Sequence, residues 1–219
     1  MSVTASERQA LARAAASVRW WPAALTLLVV GGAYAFMSDR LTLGPPWALL
    51  VLVLVVLAGV RVLRWRQQHL AYRWLALSML AVVTGAISIS ALFLVGSLLS
   101  NRAQAAGLLL DAGLLWVSNI LVFAVWYWEI DGGGPARRVM GPHCSTDFAF
   151  PQQQMGGDLA ADWKPDLMDY LFLAFNTSTA FSPTDTLVLA RRTKALMMVQ
   201  SLISLVTIAV LAARAINTL

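Results

Sequence analysis

The chain has 219 residues, of which 59% are hydrophobic and only 12% charged, and its mean hydropathy is +0.69. Apolar runs this long exclude a soluble domain and read as an integral membrane protein. The formal charge of +5 comes mostly from arginines that flank apolar segments. That placement marks membrane-interface anchors and excludes a nucleic-acid-binding arm.

Residues 1–19 read as an amphipathic segment with Arg8, Arg13 and Arg19 ahead of a Trp20-Trp21 belt, which is an interfacial anchor. Residues 20–100 read as a three-helix membrane region. Pro22 to Met37 is a first, short apolar run, and Gly44-Pro45-Pro46 turns the chain into a Leu/Val span from Trp47 to Leu63. Arg61, Arg64, Arg66 and Arg73, with Trp65, Tyr72 and Trp74 among them, read as a cytoplasmic connection. Leu75 to Leu99 is the third span, with small residues four apart (Ala81 and Gly85, Thr84 and Ser88) that admit a close neighbour.

A second region, residues 107–219, begins with a span from Leu108 to Trp126. Asp111 near one end is costly against lipid and is expected to face protein or water, with Arg102 as its natural partner. Asn119 in the middle of the span is expected to make an interhelical hydrogen bond. The span stops at Trp126-Tyr127-Trp128-Glu129-Ile130-Asp131-Gly132-Gly133-Gly134-Pro135. Residues 130–164 form a loop too long for a simple connection, which suggests function or contact between copies. His143 and Cys144 are adjacent but lack metal-ligand spacing, and as Cys144 is the single cysteine no intrachain disulfide can form. With no nucleophile elbow, zinc-protease helix or phosphate loop, we expect no enzyme activity, catalytic residue, metal or cofactor.

Leu167 to Thr179 is apolar and aromatic but 13 residues long, about 20 Å, against the roughly 30 Å of a bilayer core. Pro165, Asp166 and Asp169 suit its first turn. It therefore reads as a re-entrant helix over residues 165–179, followed by a polar turn at 180–185 and a last helix at 193–217. Non-helical backbone at membrane depth is tolerated where it faces water or protein. In the last helix Thr193, Met197, Gln200, Ser204, Thr207, Leu211 and Arg214 form one comparatively polar stripe, and Gln200, Ser204 and Thr207 are candidate pore-lining residues. The fold class is thus all-α: five transmembrane helices plus a short re-entrant helix before the last span.

The run Thr177-Ser178-Thr179-Ala180-Phe181-Ser182-Pro183-Thr184-Asp185 resembles the T-x-T-T-V-G-Y-G-D filter of tetrameric potassium-channel-like proteins, over roughly the last quarter of the chain. It is also similar to a bacterial family of small membrane proteins with an FSPTD segment. Ser182 and Thr184 stand where the filter glycines would be, with Pro183 between them. The resemblance implies a cation-preferring pore in the bacterial inner membrane, with Thr177, Thr179, Phe181, Ser182, Pro183, Thr184 and Asp185 along the ion path. Thr177, Thr179 and Thr184 would supply oxygen ligands and Asp185 the field. One chain cannot enclose a pore, so the partners implied are further copies in a homotetramer, the lipid bilayer and cations. The alternatives are a non-conducting membrane scaffold and a small transporter with a site near Asp111 and Asn119. The basic clusters put the re-entrant side in the cytoplasm, whereas the potassium-channel pattern has its loop enter from outside.

Overall fold

The computed structural model describes residues 14, 17–99, 105–140, 146–155, 163–179 and 185–217. The helices are α1 (Trp21–Ala35), α2 (Trp47–Trp65), α3 (His69–Leu99), α4 (Ala105–Ile130), α5 (Pro135–Val139), α6 (Pro151–Met155), α7 (Leu167–Thr179) and α8 (Arg191–Asn217). A two-residue antiparallel ribbon joins β1 (Phe148–Ala149) to β2 (Leu187–Val188). The protein is all-α apart from this ribbon, and α2, α3, α4 and α8 are each long and apolar enough to cross a membrane. At 15 residues, α1 is shorter, about 22 Å.

Local sequence explains the element ends. Pro22 occupies the first turn of α1, where its missing N–H costs nothing, and Pro46 stands at the N-cap of α2. Gln67 adopts a left-handed φ of 57° and turns α2 into α3. The helix α3 begins at His69, six residues before the expected start, so Tyr72 and Arg73 lie in its first turn rather than in a connection. At the end of α4, Gly132, Gly133 and Gly134 all have positive φ, which only glycine adopts without strain. A Cβ on Gly134 would also strike the Arg73 guanidinium and the Glu129 carbonyl.

Contacts at the two ends of the bundle fix the direction of each helix. At one end Arg64 at the close of α2 reaches the Val18 carbonyl ahead of α1, and Arg192 at the start of α8 reaches the Ile130 carbonyl at the close of α4. At the other end the Asp111 carboxylate, near the start of α4, accepts hydrogen bonds from Ser38 N (3.1 Å) and Ser38 Oγ (2.6 Å), just beyond α1. Arg102, the partner expected for Asp111, lies outside the described residues. Helices α1, α2, α3, α4 and α8 therefore alternate in direction, with α1 starting at the first end and α8 finishing at the second. Of the described basic residues, only Arg40 and Arg214 lie at the second end; the first is strongly basic.

The helix at the centre is α4. It packs against α1, α3, α7 and α8, and 61% of its apolar window is buried within the chain, against 17% for α2. The core formed around it is aromatic and aliphatic, with Phe123, Tyr127, Phe148, Tyr170 and Leu173 among its fully buried side chains.

Candidate functional site

The short helix α7 is the feature around which the site is built. Its start is capped by a reciprocal pair: Asp166 Oδ1 accepts from Met168 N (2.8 Å) and Asp169 N (3.3 Å), and Asp169 Oδ2 accepts from Asp166 N (2.8 Å). This is a capping box with aspartate in place of glutamate, and it sets the first helical residue at Leu167 rather than Pro165. Partial burial raises the Asp169 carboxyl pKa, and the neighbouring Asp166 charge adds to the effect.

The capped end sits at the basic end of the bundle. Tyr170, one turn into α7, donates to Asp131 Oδ2 at 2.6 Å, and Arg138 lies 5.2 Å over the Tyr170 ring. Phe148 and Phe150 pack on the same ring, and Trp163 packs on Phe150. Asp131 also accepts from Asp147 N (2.7 Å) and Phe148 N (3.3 Å). The Asp147 carboxylate accepts from Gly132 N (3.0 Å) and from Arg192 Nε (2.9 Å) and Nη2 (2.5 Å). Arg138 closes the set by donating to the carbonyls of Trp128 and Asp131. These bonds tie the end of α4, the β ribbon, the start of α7 and the start of α8 into one buried knot. Asp131 and Asp147 are 1% and 3% exposed, so the donors around them are what make their burial tolerable.

From that knot α7 runs down between α4 and α8 and stops partway along α8. Gln200, the tenth residue of α8, donates from Nε2 to the Ala174 carbonyl (2.7 Å) and to Ser178 Oγ (2.7 Å). Its Oε1 accepts from the Tyr127 hydroxyl of α4. Asn119 Nδ2 donates to the Gln200 carbonyl (3.1 Å) and to Ser204 Oγ (2.8 Å), the interhelical bond expected of it. Three helices are thus stitched together by buried amide and hydroxyl groups.

The last turn of α7 carries Thr177 and Thr179. Thr177 Oγ1 donates to the Leu173 carbonyl (2.8 Å), and Thr179 Oγ1 donates to the Phe175 carbonyl (3.1 Å). Both hydroxyls therefore turn their protons back on their own helix, and the Thr177 hydroxyl also meets the Tyr127 hydroxyl of α4 in a side-chain hydrogen bond. They stand at the negative end of the helix dipole. Ala180, Phe181, Ser182, Pro183 and Thr184 lie outside the described residues. The chain is next described at Asp185, whose carbonyl accepts from Gln154 Nε2 (3.4 Å), and at β2, which pairs with β1 beside the buried knot. Asp185 and β2 thus lie at the end from which α7 set out, rather than at its tip.

The stripe on α8 is real, and it is turned into the interior of the chain. Gln200, Ser204 and Thr207 are 0%, 2% and 0% exposed, and Thr207 Oγ1 donates to the Ile203 carbonyl (2.7 Å). Their polar atoms are occupied by α4, α7 and the helix's own backbone, so they do not form an outward-facing lining. The face that α8 leaves uncovered carries Met198, Ser201, Leu205 and Ile208, and α7 leaves Met168, Phe172 and Phe175 uncovered.

Sequence reasoning overlooked Tyr127, Tyr170, Asp131, Asp147 and Arg192 as a unit. The available signal was five charged or phenolic groups flanking apolar segments, but nothing in the spacing links Asp147 to Arg192 across 45 residues. Among the described residues no group of His, Cys, Asp and Glu is arranged to hold a metal ion. No protein-family model, curated protein or solved structure matches this chain.

Proposed function

We propose that the protein is an oligomeric, cation-preferring membrane pore in which α7 is a re-entrant helix and the residues from Thr179 up to Asp185 form the constriction, with Asp185 itself at the mouth. The observation that carries this reading is the depth at which α7 ends. Its last turn, carrying Thr177, Ser178 and Thr179, stands level with Gln200, to which Ser178 is bonded, while the chain comes back to the basic end by Asp185. Irregular backbone at that depth requires protein or water around it, and a converging set of helix C-termini favours a cation.

In this reading α1, α2, α3, α4 and α8 are five spans and further copies close the ring, most simply four. The uncovered faces of α7 and α8 meet the neighbouring copies or the conduit. Ser201 and the apolar residues Met198, Leu205 and Ile208 then line the wider part of the path, in place of Gln200, Ser204 and Thr207. The basic end faces the cytoplasm by the positive-inside rule, so the hairpin opens from that side, inverted relative to a potassium channel. Asp185 sits at its mouth and supplies field there.

The Gln200 side chain, bonded to α4 and α7 at both its oxygen and its nitrogen, supports a second reading, a non-conducting membrane scaffold in which α7 is a plug. Cation flux into liposomes carrying purified protein separates the two. A pore gives cation-dependent flux that falls with Thr179→Val and, more weakly, with Asp185→Asn. A folded, inserted protein that passes no cation under varied voltage and pH would be the scaffold.

A further inference from the structure

The strongly basic end carries a groove that neither the knot nor the short helix uses. It lies between the residues leading into α1 and the last turn of α2, has a volume of about 430 Å³, and is lined by Trp20, Arg61, Val62, Arg64 and Trp65. Among the described residues, none that lines it is acidic. Arg64 is fixed in place: its guanidinium carbon lies 5.9 Å from the Trp20 ring and 5.3 Å from the Tyr72 ring, and it donates to the Val18 carbonyl (3.4 Å). Arg61 is exposed, and among the described residues it makes no hydrogen bond or ion pair. Trp65 is 83% exposed at the rim. Two guanidinium groups between two indoles, at the end of an apolar helix, form a site for a phosphate group at the membrane interface.

The groove continues into an apolar track. Val62, Ala58, Val55 and Val51 recur at spacings of four, three and four along one exposed face of α2. From Val62 to Val51 the track measures about 16 Å, close to the half-thickness of a bilayer core, about 15 Å. A free phosphate would use the arginines and leave this track bare. A phospholipid uses both, its phosphate on Arg61 and Arg64 and an acyl chain along α2. Charge selects the lipid class, because a zwitterionic headgroup brings its own ammonium to the same arginines, whereas an anionic headgroup brings none.

We infer that the Trp20–Arg61–Arg64–Trp65 groove is a binding site for an anionic phospholipid. This inference rests on the basic end of the bundle and the apolar face of α2, and it stands whether or not the protein conducts.

The test is lipid retention by the full-length protein, released from nanodiscs of phosphatidylcholine alone or with a minor fraction of phosphatidylglycerol and weighed by native mass spectrometry. Wild type is expected to retain phosphatidylglycerol in preference to phosphatidylcholine. Arg61→Gln is expected to lower that preference about fivefold, the effect of one arginine at an anionic surface. Among the described residues Arg61 has no partner to lose, so its variant should melt at the wild-type temperature in phosphatidylcholine, which shows that the loss is not unfolding. Inorganic phosphate added in excess should not displace the lipid. Equal retention of the two lipids by wild type, an unchanged preference in a folded Arg61→Gln protein, or displacement by phosphate alone would each overturn the inference.

Discussion

The helices α2 and α4 are equally convincing as apolar segments, yet they occupy opposite situations. The α2 window is 17% buried and that of α4 is 61% buried. Before Arg61, α2 has no polar side chain, whereas α4 carries Asp111, Ser118, Asn119, Tyr127 and Glu129, all buried. Hydropathy thus identifies what enters a membrane but not what lies at the centre. Polar side chains do that, because a group that is costly against lipid must be turned toward partners. In this protein the partners of α4 are Ser38, Gln200, Ser204 and the loop around Asp147, and those contacts place α1, α7 and α8 around it.

Four substitutions grade this contrast, each read as a shift in thermal unfolding in one detergent. Asp131→Ala should do most harm, about 3 kcal/mol, because it strands the Tyr170 hydroxyl and the Asp147 and Phe148 amides in a buried site. Gln200→Leu should cost about 2 kcal/mol, since it releases Ser178, the Ala174 carbonyl and Tyr127 together. In the same background a cysteine at position 179 should react faster with a soluble thiol reagent, because the seam no longer holds the end of α7. Asn119→Leu should cost about 1 kcal/mol, within the usual range for a hydrogen bond between membrane helices. Val55→Ala, on the uncovered face of α2, should change stability by less than about 0.5 kcal/mol. If Val55→Ala proved as damaging as Asn119→Leu, the division into a central and a peripheral helix would fail.

Much of the fold could be read from the chain because the governing constraints are local. A 13-residue apolar helix is too short to span, and Asp166 and Asp169 announce its start. Runs of arginine mark one end of the bundle, and the structure gathers them there. The polar periodicity of α8 was equally visible, but not its direction. A water-filled pore and a satisfied interior both call for Gln, Ser and Thr at helical spacing, and only the positions of Tyr127, Ala174 and Ser178 show that Gln200 looks inward. The knot at Asp131, Asp147 and Arg192 was out of reach for a different reason. Its members come from three segments far apart in sequence, and each taken alone looks like an ordinary charge at a helix end.

The central claim is that α7 enters the bundle and the chain comes back at the same, basic end. Single cysteines in a Cys144→Ser background, labelled with a membrane-impermeant maleimide in intact cells and in inverted vesicles, test it directly. Arg66→Cys and Asp185→Cys should label from the same side and Asp39→Cys from the opposite one, with Thr179→Cys reached slowly from the Asp185 side. Labelling of Asp185→Cys together with Asp39→Cys would mean that α7 and the turn after it cross the membrane, and the re-entrant account would be contradicted.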